Sequence, residues 1–150
     1  HELEAMCAMG RFGPVKAMME SYWGGMLSPG AVTFWEEFDQ EKKPEEQYEM
    51  YGDPFGKSFC HAWAASPIYL LGRYFAGISL TDTAYKSFVV KPETETFETM
   101  NCTFPVKGGL VSVKWDEKML TVESSVAGGT LVYGGKKYVL EPGKPVQTTK

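Results

Sequence analysis

Cysteine and histidine are scarce in this 150-residue chain, and each scarcity narrows what it can be. The three cysteines, Cys7, Cys60 and Cys102, form an odd set without C-x-x-C spacing. That pattern offers no cysteine metal site and reads as three reduced, small apolar residues. His1 and His61 are the only histidines, so no histidine-rich metal cluster is encoded. No apolar run approaches the ~20 residues of a membrane-spanning helix. Basic charge is also short: the net charge is -4, and neither half carries a basic patch, which argues against nucleic acid as a partner. Gly24-Gly25 and Gly128-Gly129 lack the strand–loop–helix context of a phosphate loop, so no nucleotide cofactor is implied.

What remains is globular, at 43% hydrophobic, 23% charged and 14% aromatic residues. The chain divides into two dissimilar halves. Residues 1–78 read as helical with long loops. Val15, Met18, Met19, Tyr22, Trp23 and Met26 recur at the spacing of one buried helical stripe. Pro14 suits a first helical turn, and Gly24-Gly25 with Ser28-Pro29-Gly30 ends the helix. A polar loop is expected over 39–56, with the Glu-rich run at 41–49 solvated and Asp53-Pro54-Phe55-Gly56 forming a turn. A second helix is expected over roughly 60–76, with Pro67 either in a first turn or at a kink.

Residues 79–150 change character. Short strand-like runs at 88–90, 100–106, 110–115, 120–125, 130–133 and 138–140 are separated by Gly108-Gly109, Asp116-Glu117, Gly128-Gly129 and Gly134-Gly135. Short alternating strands with Gly-rich turns predict an antiparallel β-sandwich. Helices first and strands afterwards predict an α+β, two-domain chain, divided into 1–78 and 79–150. Two or three helices cannot enclose a core alone. The chain opens at His1 inside a helical pattern, so the first part is expected to be the end of a longer helical domain.

The residues best suited to chemistry lie in Gly30-Ala31-Val32-Thr33-Phe34-Trp35-Glu36-Glu37-Phe38 and Gly56-Lys57-Ser58-Phe59-Cys60-His61-Ala62-Trp63. Adjacent acids are ordinarily solvated loop charges. Here Glu36 and Glu37 are embedded in aromatics, an environment expected to raise a carboxylate's pKa and suit it to general base work. Sequence neighbours tend to point apart, so at most one of the two is expected to face a site. His61 is expected on the second helix, flanked by Phe59 and Trp63. An indole beside a carboxylate is what a sugar site needs: the ring stacks on C–H faces while the carboxylate takes a hydroxyl proton or activates water. Trp23, on the helical stripe, and Trp115, at a strand end, read as core.

Tyr22-Trp23-Gly24-Gly25-Met26-Leu27, Gly30-Ala31-Val32-Thr33-Phe34-Trp35-Glu36, and Cys60-His61-Ala62-Trp63 ahead of Tyr69-Leu70-Leu71 resemble the C-terminal part of bacterial α-L-rhamnosidases, glycoside hydrolase family 78. The motif-bearing part spans about residues 14–77, and the strand-rich tail matches in character. The resemblance implies the last helices of an (α/α)6 barrel followed by a C-terminal β-sandwich. It implies inverting hydrolysis of terminal α-L-rhamnose from an oligosaccharide or glycoside; the residues themselves show no metal-ligand cluster and call for no cofactor. The family's general base follows the aromatic of its Gly-Ala-Thr-Thr-x-Trp-Glu motif, which places that role on Glu36. Val32 stands where the family often has Thr. The resemblance also implies that His61 contacts sugar, and Trp35 and Trp63 are expected to wall the pocket.

Inverting enzymes pair this base with a carboxylic acid typically ~6.5–9.5 Å away. The family's acid comes from an acidic motif that no segment here matches. The chain therefore reads as half of a catalytic pair, inactive alone and prone to self-association through uncovered helical faces. The resemblance leaves the compartment open between a bacterial periplasm and cytoplasm. The contrasting reading is a non-catalytic carbohydrate-binding or structural sandwich, with Tyr85, Tyr133 and Tyr138 as its candidate stacking rings.

Overall fold

The computed structural model describes residues 1–83 and 86–150, so Tyr85 lies outside the described residues. The chain forms two compact units, His1–Ile68 and Tyr69–Lys150.

The first unit is short helices and ordered loops. Helix α1 covers Glu2–Ala8, and α2 covers Phe12–Met18, continuing through a π-turn at Met19–Trp23 and a 3-10 turn at Gly25–Leu27. Pro14 falls in the first turn of α2, where a missing N–H costs nothing. The stripe read from the sequence is buried at Val15, Met19 and Met26, whereas Met18 is exposed. The segment 39–56 is mostly loop, with a 3-10 turn at Pro44–Glu46. It is not wholly solvated: the side chain of Gln47 is buried, donates to the carbonyls of Asp39 and Lys42, and accepts from the Asp39 N–H. One buried amide thus organises the acidic run from within.

The expected second helix is shorter and broken. A 3-10 turn at Ala62–Ala64 precedes α3, Ser66–Leu70, which continues as a π-turn at Leu71–Phe75. Pro67 occupies the first turn of α3. The division between units falls inside α3, earlier than residue 78, because the following π-turn packs on the sheet-rich unit. Phe75 is fully buried with its ring 5.0 Å from that of Phe97. Gly72 lies against Phe104 so closely that a Cβ would stand 2.7 Å from the ring.

The second unit holds eight strands among the described residues: β1 Ile78–Leu80, β2 Phe88–Val90, β3 Met100–Val106, β4 Gly109–Trp115, β5 Met119–Ser124, β6 Gly129–Tyr133, β7 Lys136–Leu140 and β8 Val146–Thr149. They form two four-stranded sheets, ordered β1-β2-β6-β7 and β3-β4-β5-β8. Pairing is antiparallel except between β2 and β6. The alternation in β4 buries Val111, Val113 and Trp115 and exposes Leu110 and Lys114. Phe88, Val90, Leu131 and Leu140 from one sheet share a core with Val111, Val113, Leu120 and Val122 from the other. Each such side chain contributes roughly 1.5–3 kcal/mol on burial. The arrangement is compatible with a β-sandwich. Trp115 is core, as expected, with its indole N–H on the Phe97 carbonyl at 2.9 Å. Tyr133 and Tyr138 also pack against this core rather than standing free as stacking platforms.

The six expected strands are present, and two more were not anticipated. β1 lies where the sequence reads as the end of the helical half. β8, Val-Gln-Thr-Thr, pairs only with β5 at the sheet edge and carries little apolar signal.

Candidate functional site

Glu36 and His61 are far apart in sequence and are brought together by two extended segments of the first unit. The Glu36 N–H donates to the Ser58 carbonyl at 2.9 Å, and the His61 N–H donates to the Phe34 carbonyl at 2.8 Å. The Thr33 hydroxyl adds a hydrogen bond to the Phe59 carbonyl. His61 therefore sits in extended chain (φ -108°, ψ 109°) ahead of the 3-10 turn, not on a helix as expected. A β-like ladder fixes its position instead.

Within this ladder the Glu36 carboxylate is held from both ends. Oε1 accepts the Tyr51 hydroxyl at 3.0 Å, and Oε2 accepts the Ser58 N–H at 3.2 Å. His61 Nδ1 lies 3.9 Å from Oε2. The carboxyl titrates below its ordinary value of 4.5, chiefly through the Ser58 N–H and then the Tyr51 hydroxyl, with smaller help from His61 and Lys57. This reverses the sequence expectation of a raised value. Aromatic neighbours do surround Glu36 in sequence, but hydrogen bonds to the charged form outweigh desolvation. The same contact pushes the Tyr51 hydroxyl up.

Glu36 and His61 open into a cavity of about 540 Å³. Leu3, Met6, Met18, Tyr22, Trp23 and Trp63 supply most of its apolar wall, and Glu2 brings a second carboxylate to the lining. An apolar hollow with a few convergent polar groups is the usual form of a small-molecule site. Trp63 is 92% exposed and meets His61 edge-on, with ring centroids 6.1 Å apart.

The two other tryptophans of this unit exchange the places expected for them. Trp35 is 4% exposed and packs among Tyr48 and Phe59, behind the ladder rather than in the cavity lining. Alternation along extended chain explains this, because Trp35 and Glu36 point to opposite sides. Trp23, expected as core, is half-buried and lines the cavity, with its indole N–H anchored to the Ala64 carbonyl at 2.8 Å. Tyr51 and Ser58 went unremarked in the sequence, where only the Tyr51-Gly52 turn signal could have marked the first.

Lys57 is also near Glu36. Its side chain is buried, its ammonium has no hydrogen-bond partner among the described residues, and burial pulls its pKa down. Among the described residues, no group of three or more His, Cys, Asp or Glu side chains could hold a metal ion. No helix among them is long and apolar enough to cross a membrane.

Comparison with solved structures places a GH78 family rhamnosidase of Bacillus sp. GL1 alongside this chain. The TM-score is 0.63 and the sequence identity 22%, over 85% of this chain and 14% of that enzyme. The likeness is one of fold, and the chain spans only 14% of that enzyme's length. A human-microbiome protein described as a kojibiose phosphorylase aligns at a TM-score of 0.41 and 17% identity, covering 58% of this chain and 11% of its own, too distant to carry an argument. No protein-family model matches the chain. No curated protein sequence matches it either.

Proposed function

We propose that this chain is the C-terminal portion of an inverting α-L-rhamnosidase of the glycoside hydrolase 78 type. In this reading residues 1–78 are the last helices of an (α/α)6 barrel and residues 79–150 a β-sandwich. Glu36 is the general base, His61 contacts the sugar, and Trp63 with Trp23 offers the apolar faces on which the ring rests. Trp35 serves as the packed support beneath Glu36. The general acid comes from elsewhere in the catalytic barrel.

The observation that carries the proposal is an ionised carboxylate beside an imidazole on the wall of an aromatic-lined cavity. The motif resemblance and the fold likeness support it. A carboxylate has about four lone-pair sites, so the bonds from Tyr51 and Ser58 leave two to accept a proton from water. In an inverting reaction that water attacks the anomeric carbon on the face opposite the departing oxygen, which the acid protonates. Water activation without leaving-group protonation supplies only part of the catalysis, so the chain alone should not turn over.

The test is Glu36→Gln in the enzyme that contains this segment, assayed on an α-L-rhamnoside. Turnover should fall by about 10²–10⁴-fold, as for loss of a general base, with substrate binding largely retained. Proton NMR of early product from the unaltered enzyme should show the β-anomer. Near-normal turnover in the variant, or retained configuration, would overturn the assignment.

A further inference from the structure

Tyr51 stands where a tyrosine is hard to justify by folding alone. Met50 and Asp53 exchange two backbone hydrogen bonds of 3.0 Å, closing a two-residue turn. Both central residues are left-handed, Tyr51 at φ +55° and Gly52 at φ +76°. Turns of this kind favour Asn-Gly or Gly-Gly, because a side chain at positive φ crowds the following carbonyl. Tyr51 is the only non-glycine residue with positive φ among those described. Packing does not compensate, since Tyr51 is 81% exposed. Asp53 also opens the next turn, where its carboxylate accepts the Phe55 N–H at 2.8 Å. What the strained position does achieve is to deliver the phenol to Glu36.

We infer that Tyr51 is a positioning residue for Glu36: the strained turn aims its hydroxyl at Oε1 so that the carboxylate is fixed in one plane. The inference rests on the assignment of Glu36 as general base, and extends it to a residue outside the motif. Rotation about the terminal torsion of a glutamate is soft. The Ser58 N–H alone pins one oxygen, and the Tyr51 hydroxyl pins the other. Among the described residues, the other charged or titratable groups near this pair are His61 and Lys57 beside Glu36 and Glu37 beside Tyr51, with Glu2 also lining the cavity. Of these, Lys57 and His61 also favour the ionised carboxylate, so removal of the phenol hydroxyl should weaken the effect without abolishing it.

The experiment is a carbon-13 NMR titration of the Glu36 side-chain carboxyl in the full 150-residue chain, for the native sequence, Tyr51→Phe and Tyr51→Gly, with circular dichroism to verify folding. Tyr51→Phe keeps the ring and the strain but removes the donor, so the Glu36 midpoint should move upward. Tyr51→Gly removes donor and strain together. It should move the midpoint upward while raising the melting temperature. An unchanged midpoint in both variants would overturn the inference, as would an upward shift in Tyr51→Gly alone, which would assign the effect to the turn. In the enzyme containing this segment, the acidic limb of kcat/KM should move to higher pH in Tyr51→Phe. If the midpoint moves but Glu36→Gln retains near-normal turnover, Tyr51 still positions Glu36 and only the catalytic assignment fails.

Discussion

Glu36 Oε2 and His61 Nδ1 lie 3.9 Å apart, too far for a hydrogen bond and close enough to share one ligand hydroxyl. That spacing separates the roles of the two side chains. His61 does not touch the carboxylate closely enough to hold it, a task left to Ser58 and Tyr51.

If the proposed function holds, His61→Ala in an enzyme carrying this segment should therefore raise KM more than it lowers kcat. Loss of one hydrogen bond to a sugar hydroxyl is worth about 0.5–1.5 kcal/mol, or roughly 2- to 13-fold in KM. Steady-state kinetics would check this, and an equal loss in kcat alone would show that the imidazole acts in the transition state instead.

The lowered Glu36 pKa makes the stability of the first unit depend on acid. A carboxyl depressed in the folded state stabilises the fold fully above its unfolded value of about 4.5. The contribution is lost as pH falls through the lower folded value. Urea unfolding across pH 3 to 6 should show a decline toward acid that is shallower in Glu36→Gln, where no proton is taken up at this position.

Lys57 has the opposite sign of effect. Among the described residues its buried ammonium has no hydrogen-bond partner, and its pKa lies below the ordinary value of 10.5. The folded state thus disfavours the charged form, and stability should rise as pH climbs through the folded value toward 10.5. An unsatisfied buried polar group costs about 1–3 kcal/mol, so Lys57→Met should be stabilising or neutral and should remove the alkaline rise. Denaturation at pH 7 and 10 for both forms gives the answer, with a strongly destabilised variant indicating that Glu37 and Asp39 need the charge.

Large apolar side chains stand open on the first unit: Val32 is 95% exposed, Trp63 92% and Leu27 69%. Such surface drives association when it is contiguous, and Leu27 and Val32 line one shallow hollow with Trp23 and Phe34. Sedimentation velocity should show concentration-dependent species larger than the monomer, diminished in the Leu27→Ser, Val32→Ser double variant. A monomer at all concentrations would show that these residues do not drive association.

The sheet unit was the more legible part of the sequence, for reasons visible in its residues. Gly108, Gly128, Gly134 and Gly135 all adopt positive φ, so the turns that separate the strands were written in the one residue suited to them. β1 was hidden because three residues, Ile78–Leu80, are too short a run to stand out beside the apolar helix end, even with Gly77 between them, and β8 because an edge strand of Val-Gln-Thr-Thr buries almost nothing. In the candidate site, the motif drew attention to Glu36 and His61, but local pattern misjudged their setting. Side-chain alternation around Glu36 sends Trp35 inward, and a helical stripe places Trp23 at a cavity edge, facts that depend on which segments meet. The direction of the Glu36 pKa was illegible for the same reason, since its cause is a backbone amide and a phenol far along the chain.

The parallel pairing of β2 with β6 carries a consequence for the order in which the sheet-rich unit assembles. β3, β4 and β5 are joined by tight turns and meet their neighbours locally, so their meander closes small loops and can form in the microsecond range typical of hairpins. Phe88 cannot reach Gly129 until the whole intervening meander has been traversed, and the entropy of that closure must be met before any burial rewards it. The meander is therefore the expected nucleus, with the β6–β7 hairpin equally local, and the pairing of β2 with β6 is expected to close late. Amides of β2 that pair with β6 should gain protection from hydrogen exchange after those of β4, and equal or earlier protection there would refute this order.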